Sequence, residues 1–313
     1  MRIPVVFAVD NIGAAPNYTI KALQRLGHET RRMTPDEYFA ADPNEYDLFW
    51  CQDSGEGIDF RRASDAHLKR TSMWYWDSRW NRVQRNPGDD DMARWVMEKG
   101  GWVFQAQSPD LDRFGYYTVP GNINDPRISW LPIAGDPFEW SNEPQSYQPI
   151  HKCSFVGNCY DSGRGSALNY ARDTCQLFWP GPNSLFYKEA AKVYRDSWVC
   201  FHAPTFYNLP HDVTHERVDY DVTMRYFEAP LCGIPVVTPP MPDFEKLGFQ
   251  DGFQIFIYNS LEEIPQQVNR AYMAMQDGLL THELRSWVLG HHTYDIRLQY
   301  ALNHLRDVGV LNA

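Results

Sequence analysis

The feature that most constrains this chain is an alternation. Short runs apolar on both faces are each followed by a segment with apolar residues at helical spacing. IPVVFAV opens the series, the loop DNIGAAPN follows, and YTIKALQRLG carries the helical pattern. Gly27 then stands where the helix needs a left-handed residue to close it. A strand apolar on both faces must be covered on both faces, and crossover helices do this when they return the chain for a parallel neighbour. The pattern continues through EYDLFWCQ (45–52), a helix around 60–70, TSMWYW (71–76), a helix at 89–99, WVFQAQ (102–107) and ISWLPIA (128–134).

The alternation breaks at 135–150, GDPFEWSNEPQSYQPI, whose three prolines and polar residues lack any period; this segment reads as a linker. A second series then follows. HKCSFVGN (151–158), QLFWPG (176–181), WVCFHAP (198–204), IPVVTP and QIFIYN (254–259) read as strands, with SALNYARD, KEAAKVYRD, TMRYFEAPLC and LEEIPQQVNRAYMAM as helices. The tail reads as one or two helices, with Gly290 the candidate break. At 313 residues the chain accommodates two domains of about 150 residues each. The expected architecture is α/β: two Rossmann-like domains facing a central cleft. The expected boundaries are 1–140, 141–285, and a C-terminal helix at 286–313 that packs back on the first domain.

Charge and cysteine usage narrow the class. The formal net charge is −11, whereas a protein that grips a nucleic-acid backbone normally shows a basic excess. The local basic run RRASDAHLKR (61–70) reads as the solvated face of a helix. The six cysteines form no CxxC pair and no zinc spacing, and most sit in apolar strand-like runs. They point to a reducing compartment without a disulfide frame. No run reaches the ~18 apolar residues of a membrane span, and the expected location is cytoplasmic. The 11 Trp, 18 Tyr and 17 Phe are read first as core.

Several stretches carry candidate chemistry. SFVGNCYDSGRGS (154–166) sets a strand before a glycine loop, with Arg164 near the next helix start; it is either an anion site or an ordinary turn with a surface arginine. His202 ends a strand, where open α/β sheets place ligand contacts; it is either a ligand or acid/base residue or a structural one. In RYFEAPLCGIPVVT, Glu228 lies among apolar residues and cannot be buried cheaply alone. It is either bridged to Arg225 or free to accept from ligand hydroxyls, to which a sugar diol is suited. Asp77, among Trp74, Trp76 and Trp80, is either a helix N-cap or a base. The adjacent histidines of HHTYDIR diverge by about 100° on a helix, and DDD (89–91) reads as a helix-start charge cluster, so neither is read as a metal site.

Over 151–300 the chain resembles GT-B-fold glycosyltransferases, specifically the CgeB/YkvP spore-protein-like group. The resemblance rests on CSFVGN with Arg164, on RYFEAPLCGIPVVT, on FIYNSLEEIPQQV and on HTYDIR, with ALQRLGHET similar to the family's opening helix-to-strand step. It implies a sugar moved from a nucleotide-diphosphate sugar, a UDP-sugar above all, to an acceptor hydroxyl, without a metal or a bound cofactor. It also implies Glu228 on the ribose hydroxyls, Gly157 and Asn158 at the phosphate loop, Arg164 or Arg225 on the diphosphate, and His202 beside the donor. Gly13, in the first loop, joins the donor-binding set, and Asp77 is the candidate acceptor base. Many relatives carry a glutamate where this chain has Tyr220, between Asp219 and Asp221. The loop 205–222, with Asn208, His211 or Asp212, stands in for that contact. The acceptor is a polysaccharide, a protein, a small molecule or a hydroxylated DNA base. The contrasting class is a non-catalytic binding or assembly protein on the same fold.

Overall fold

The computed structural model describes residues 1–7, 14–52, 58–75, 89–106, 108, 128–140, 148–159, 162–181, 187–203, 222–241, 243–276 and 278–312. The chain divides into two compact units, Met1–Ile133 with Tyr294–Ala313, and Ala134–Thr293.

In the first unit six parallel strands are described: β1 (Val5–Val6), β2 (Arg32–Met33), β3 (Phe49–Gln52), β4 (Thr71–Tyr75), β5 (Trp102–Gln105) and β6 (Ile128–Trp130). Their order is β2-β1-β3-β4-β5-β6. The strand reversal between β1 and β3 is where such sheets open a crevice at their carboxyl ends. One face buries Val6, Phe49, Cys51, Met73, Tyr75 and Val103. Trp50, Trp74 and Phe104 share the other face through the register of β3, β4 and β5.

The first helix, Ala14–Arg25, ends as the sequence predicts, with Gly27 at φ +82°. The last helix, Tyr294–Asp307, belongs to this unit. Tyr294 packs on Tyr18 (5.4 Å between rings) and Trp74 (6.1 Å), and Asp295 holds Arg25 through two 2.7 Å bonds. The predicted helix at 60–70 is instead a 3-10 turn, Phe60–Arg62, and a short helix, Asp65–Leu68, started by the Ser64 side chain. Its basic residues are partnered: Arg61 with Asp59, Arg62 with Asp36 and the Phe39 ring. His67 is buried between Ser64 Oγ and the Ala41 carbonyl.

The second unit holds β7 (His151–Ser154), β8 (Leu177–Phe178), β9 (Ser197–Phe201), β10 (Val236–Thr238) and β11 (Ile255–Ile257), all parallel, in the order β11-β10-β9-β7-β8. Here the reversal falls between β7 and β9. Helices Ser162–Cys175 and Ile264–Met275 cover one face, around Phe155, Leu168, Val199, Phe201, Phe256 and Val268.

Two expectations are corrected. Residues 135–140 are no linker: Asp136 caps a short helix, Pro137–Trp140, and Trp140 is buried against Tyr194. Prolines and polar residues hid a segment that one aromatic anchors. Gly290 does not break the tail. It lies inside the helix Leu279–His291, and the chain turns at His292 and Thr293, both buried. His292 caps that helix, against Phe227 (5.3 Å between rings) and Trp287 (4.3 Å). Burial of His292 with the loss of helical backbone there outweighs the flexibility of glycine.

Candidate functional site

The candidate residues of the second unit gather at the carboxyl ends of β7 and β9, on either side of the strand reversal. Beyond β7 the chain runs Phe155, Val156, Gly157, Asn158 and then enters the helix Ser162–Cys175. Beyond β9 it runs His202, Ala203. Strand carboxyl ends and helix amino ends meet here because parallel crossovers place them on one edge, and the helix start brings unpaired N–H groups and partial positive charge.

Two arginines brace this edge. Arg164, 5% exposed, donates from Nε to the Ala203 carbonyl and from Nη1 to the Asn158 carbonyl, both at 2.8 Å. It therefore ties the two strand-end loops together. Arg225 starts the helix Arg225–Leu231 and reaches back across 69 positions. Its Nε and Nη2 fork onto the Val156 carbonyl (3.2 and 2.6 Å), Nη1 donates to Nδ1 of His202 (2.6 Å), and the Tyr194 hydroxyl is a further partner. The Phe155 ring lies under both guanidiniums, 5.1 Å from Arg225 and 5.8 Å from Arg164. Gly157 has φ +150°, and a Cβ there would sit 2.8 Å from Arg225 Nη2. Glycine is required at this point both for backbone conformation and for room.

His202 is fully buried. Its N–H donates to the Val237 carbonyl, its carbonyl accepts from the Tyr258 hydroxyl, and the Tyr226 ring packs against its imidazole at 4.8 Å. Burial, then Arg225 and Arg164, hold its pKa well below the usual histidine value, so the ring is neutral. Nε2 has no hydrogen-bond partner among the described residues.

Glu228 is 8% exposed, with Tyr226, Phe227, Ala229, Pro230 and Leu231 buried around it. Among the described residues, neither a hydrogen bond nor an ion pair joins it to Arg225, whose fork is turned to Val156. Burial pushes the Glu228 carboxyl up to about 8, opposed by the positive charge of Arg225 nearby. Of the two sequence alternatives for this pair, the bridged one is therefore absent.

Of the sequence candidates, the fold brings Gly157, Asn158, Arg164, His202 and Arg225 together, while Glu228 is buried one helical turn beyond Arg225. Gly13, Asp77 and Asn208 lie outside the described residues, as do His211, Asp212, Asp219, Tyr220 and Asp221. Phe155, Tyr194 and the Val156 carbonyl were missed. Phe155 has a sequence signal, an aromatic between a strand and its glycine loop. Tyr194 looks like one more core position on the helix Tyr187–Arg195, and a carbonyl has no signature at all. Among the described residues no group of three or more His, Cys, Asp or Glu is placed to hold a metal. No helix among them is long and apolar enough to cross a membrane.

A family profile described as glycosyl transferase-like matches residues 147–303, half of the chain, and spans Gly157, Asn158, Arg164, His202, Arg225 and Glu228. The chain belongs to the glycosyl transferase-like family. This glycosyltransferase has the two parallel α/β units of the GT-B class, and solved structures share its fold. An α-glucosyltransferase in complex with UDP-glucose and DNA containing an abasic site aligns with TM-score 0.64 at 11% identity, over 97% of this chain and 99% of that one. AviGT4, a glycosyltransferase involved in avilamycin A biosynthesis, aligns with TM-score 0.62 at 12% identity over 98% of both chains. A glycosyltransferase from Rickettsia africae ESF-5 aligns with TM-score 0.60 at 10% identity, again over 98% of both. A search of curated proteins finds no significant match.

Proposed function

We propose that this glycosyltransferase takes a nucleotide-diphosphate sugar, a UDP-sugar in the first instance, and transfers the sugar to an acceptor hydroxyl, as a member of the CgeB/YkvP-like group. The observation that carries the reading is Glu228: a carboxyl buried on the helix that Arg225 starts, with no side-chain hydrogen bond to it among the described residues. A ribose diol supplies two hydroxyl donors to such a group. The diphosphate falls to the backbone N–H groups at Gly157, Asn158 and the start of the helix Ser162–Cys175. In the reaction the bond from C1 of the sugar to the diphosphate breaks, and a bond from C1 to the acceptor oxygen forms. The acceptor proton passes to a base, for which Asp77 is our candidate. Negative charge grows on the leaving diphosphate, so donors fixed in advance on that side lower the barrier. Neither a metal nor a bound cofactor is needed in this scheme.

Support for a UDP donor comes from a structural relative that is in complex with UDP-glucose. That relative also holds DNA, but the net charge of −11 and the acid-partnered arginines at 61 and 62 favour an acceptor other than nucleic acid. The test is a panel of UDP-, GDP-, ADP- and dTDP-sugars scored by melting temperature and by sugar release. One nucleotide should raise the melting temperature, and Glu228→Ala should weaken its binding about tenfold or more, worth ~1.4 kcal/mol or above. If no nucleotide shifts the melt and Glu228→Ala changes nothing, the reading is wrong.

A further inference from the structure

We propose that Arg225 is a positioning residue: its bond to Nδ1 locks His202 as the neutral Nε2–H tautomer, and Nε2–H is the fixed hydrogen-bond donor to the substrate's diphosphate. The second half rests on the nucleotide-sugar reading; the first does not.

The lock follows from elementary chemistry. Guanidinium N–H groups only donate, so the 2.6 Å contact from Arg225 Nη1 requires a lone pair on Nδ1 of His202. A neutral imidazole with a lone pair on Nδ1 carries its proton on Nε2. That Nε2–H is buried and has no partner among the described residues. An unsatisfied buried donor is costly, and an incoming oxygen relieves the cost.

The surroundings select what that oxygen is. Arg225 and Arg164 flank the ring and oppose its protonation, while the Tyr226 ring packs on it and the Tyr258 hydroxyl bonds its carbonyl. Tyr194, Cys200 and Glu228 act on Arg225. No carboxylate meets the imidazole directly among these groups, so among the described residues none draws a second proton onto it. A neutral donor between two cations suits an anionic oxygen and stays a donor across the neutral pH range. Three of the five N–H groups of Arg225 are committed to Val156 and His202, so it acts through the histidine rather than on the phosphate. Gly157 takes on a second role: by lacking a Cβ it admits the guanidinium against Val156.

The experiment begins with wild-type protein, so it survives any variant that fails to fold. Imidazole ¹⁵N spectra of His202 from about pH 5.5 to 8 should show the Nε2–H tautomer without titration. An Nδ1–H tautomer, or protonation in that range, overturns the lock. Adding UDP, GDP, ADP or dTDP should move the Nε2–H resonance for the nucleotide that binds. Binding that leaves this resonance unmoved overturns the ligand half and leaves the nucleotide reading standing. Binding by none of the four overturns that reading together with the ligand half, while the tautomer result stands by itself. Affinities of His202→Ala, Arg225→Met and the double variant complete the test. Equal losses in all three support action through His202; additive losses overturn it and put Arg225 on the phosphate. In Arg225→Met the tautomer should no longer be fixed, and the ¹⁵N spectra should show Nδ1–H imidazole appearing at His202.

Discussion

At the residue scale the second unit's edge is a set of exceptions to ordinary burial. An acidic group that loses more by burial than it gains from a nearby positive charge resists ionisation, and Glu228, with Arg225 near it, is such a group. The consequence for stability has a definite sign. Its ordinary value is 4.5 and its folded value about 8, so below pH 4.5 both states are protonated and nothing is lost. Between 4.5 and about 8 the unfolded chain ionises while the folded one stays protonated, and stability falls as pH rises. Urea unfolding across that window should show wild type losing on the order of a few kcal/mol relative to Glu228→Gln, with the two curves parallel above it. A variant that tracks wild type throughout would show that Glu228 ionises normally.

At the element scale the helix Arg225–Leu231 shows how sequence punctuation and packing cooperate. It buries six consecutive residues from Tyr226 to Leu231, so it is held by its surroundings on all sides rather than along one stripe. Phe227, Phe249, Trp287 and His292 form an aromatic cluster against it. Its end is a Schellman closure: Gly233 N–H bonds the Pro230 carbonyl, Ile234 N–H bonds the Ala229 carbonyl, and Gly233 takes φ +89°. A Cβ on Gly233 would lie 2.6 Å from Thr281 Cγ2. Gly233→Ala should therefore lower stability by about 1–3 kcal/mol in thermal denaturation, combining a left-handed residue with a steric overlap. Because this helix carries both Arg225 and Glu228, the same variant should weaken nucleotide binding. Glycine before "IPVV" is the kind of closure that the sequence reading found at Gly27, while the burial of every side chain ahead of it has no such signal, because helical spacing records one stripe and not full enclosure.

At the scale of the whole molecule the chain leaves its first unit at residue 133 and returns to it at Tyr294. The return is fastened by the Arg25–Asp295 fork, about a quarter exposed on both sides, and by Tyr294 between Tyr18 and Trp74. Removing 294–313 would strip the aromatic cover from the first unit's sheet, so the truncated chain should aggregate or melt in two steps. Asp295→Ala alone should cost about 1 kcal/mol, with a salt-sensitive loss on thermal denaturation. If truncation leaves a single unshifted transition, the final helix contributes nothing to the first unit.

The alternation of strands and helices was legible in the sequence, though not the helix Pro137–Trp140 or the short helix Asp65–Leu68 in place of a longer one. Runs apolar on both faces, separated by helices, have no stable arrangement other than covered parallel sheets, and Gly27 and Gly233 mark closures that only glycine reaches easily. The residue types of the candidate site were also visible, because a glutamate among apolar neighbours and a histidine at a strand end are locally anomalous. Only the tertiary structure decided their relations. Arg225 and Glu228 stand three apart and look paired, yet the guanidinium is spent on a carbonyl 69 positions away. The Nε2–H tautomer of His202 and the absence, among the described residues, of a bridge from Arg225 to Glu228 both rest on where that guanidinium turns, while burial keeps the imidazole neutral. Local spacing says which side chains neighbour each other along a helix; which of them lose water, and to which partner they turn, is settled by contacts between distant segments.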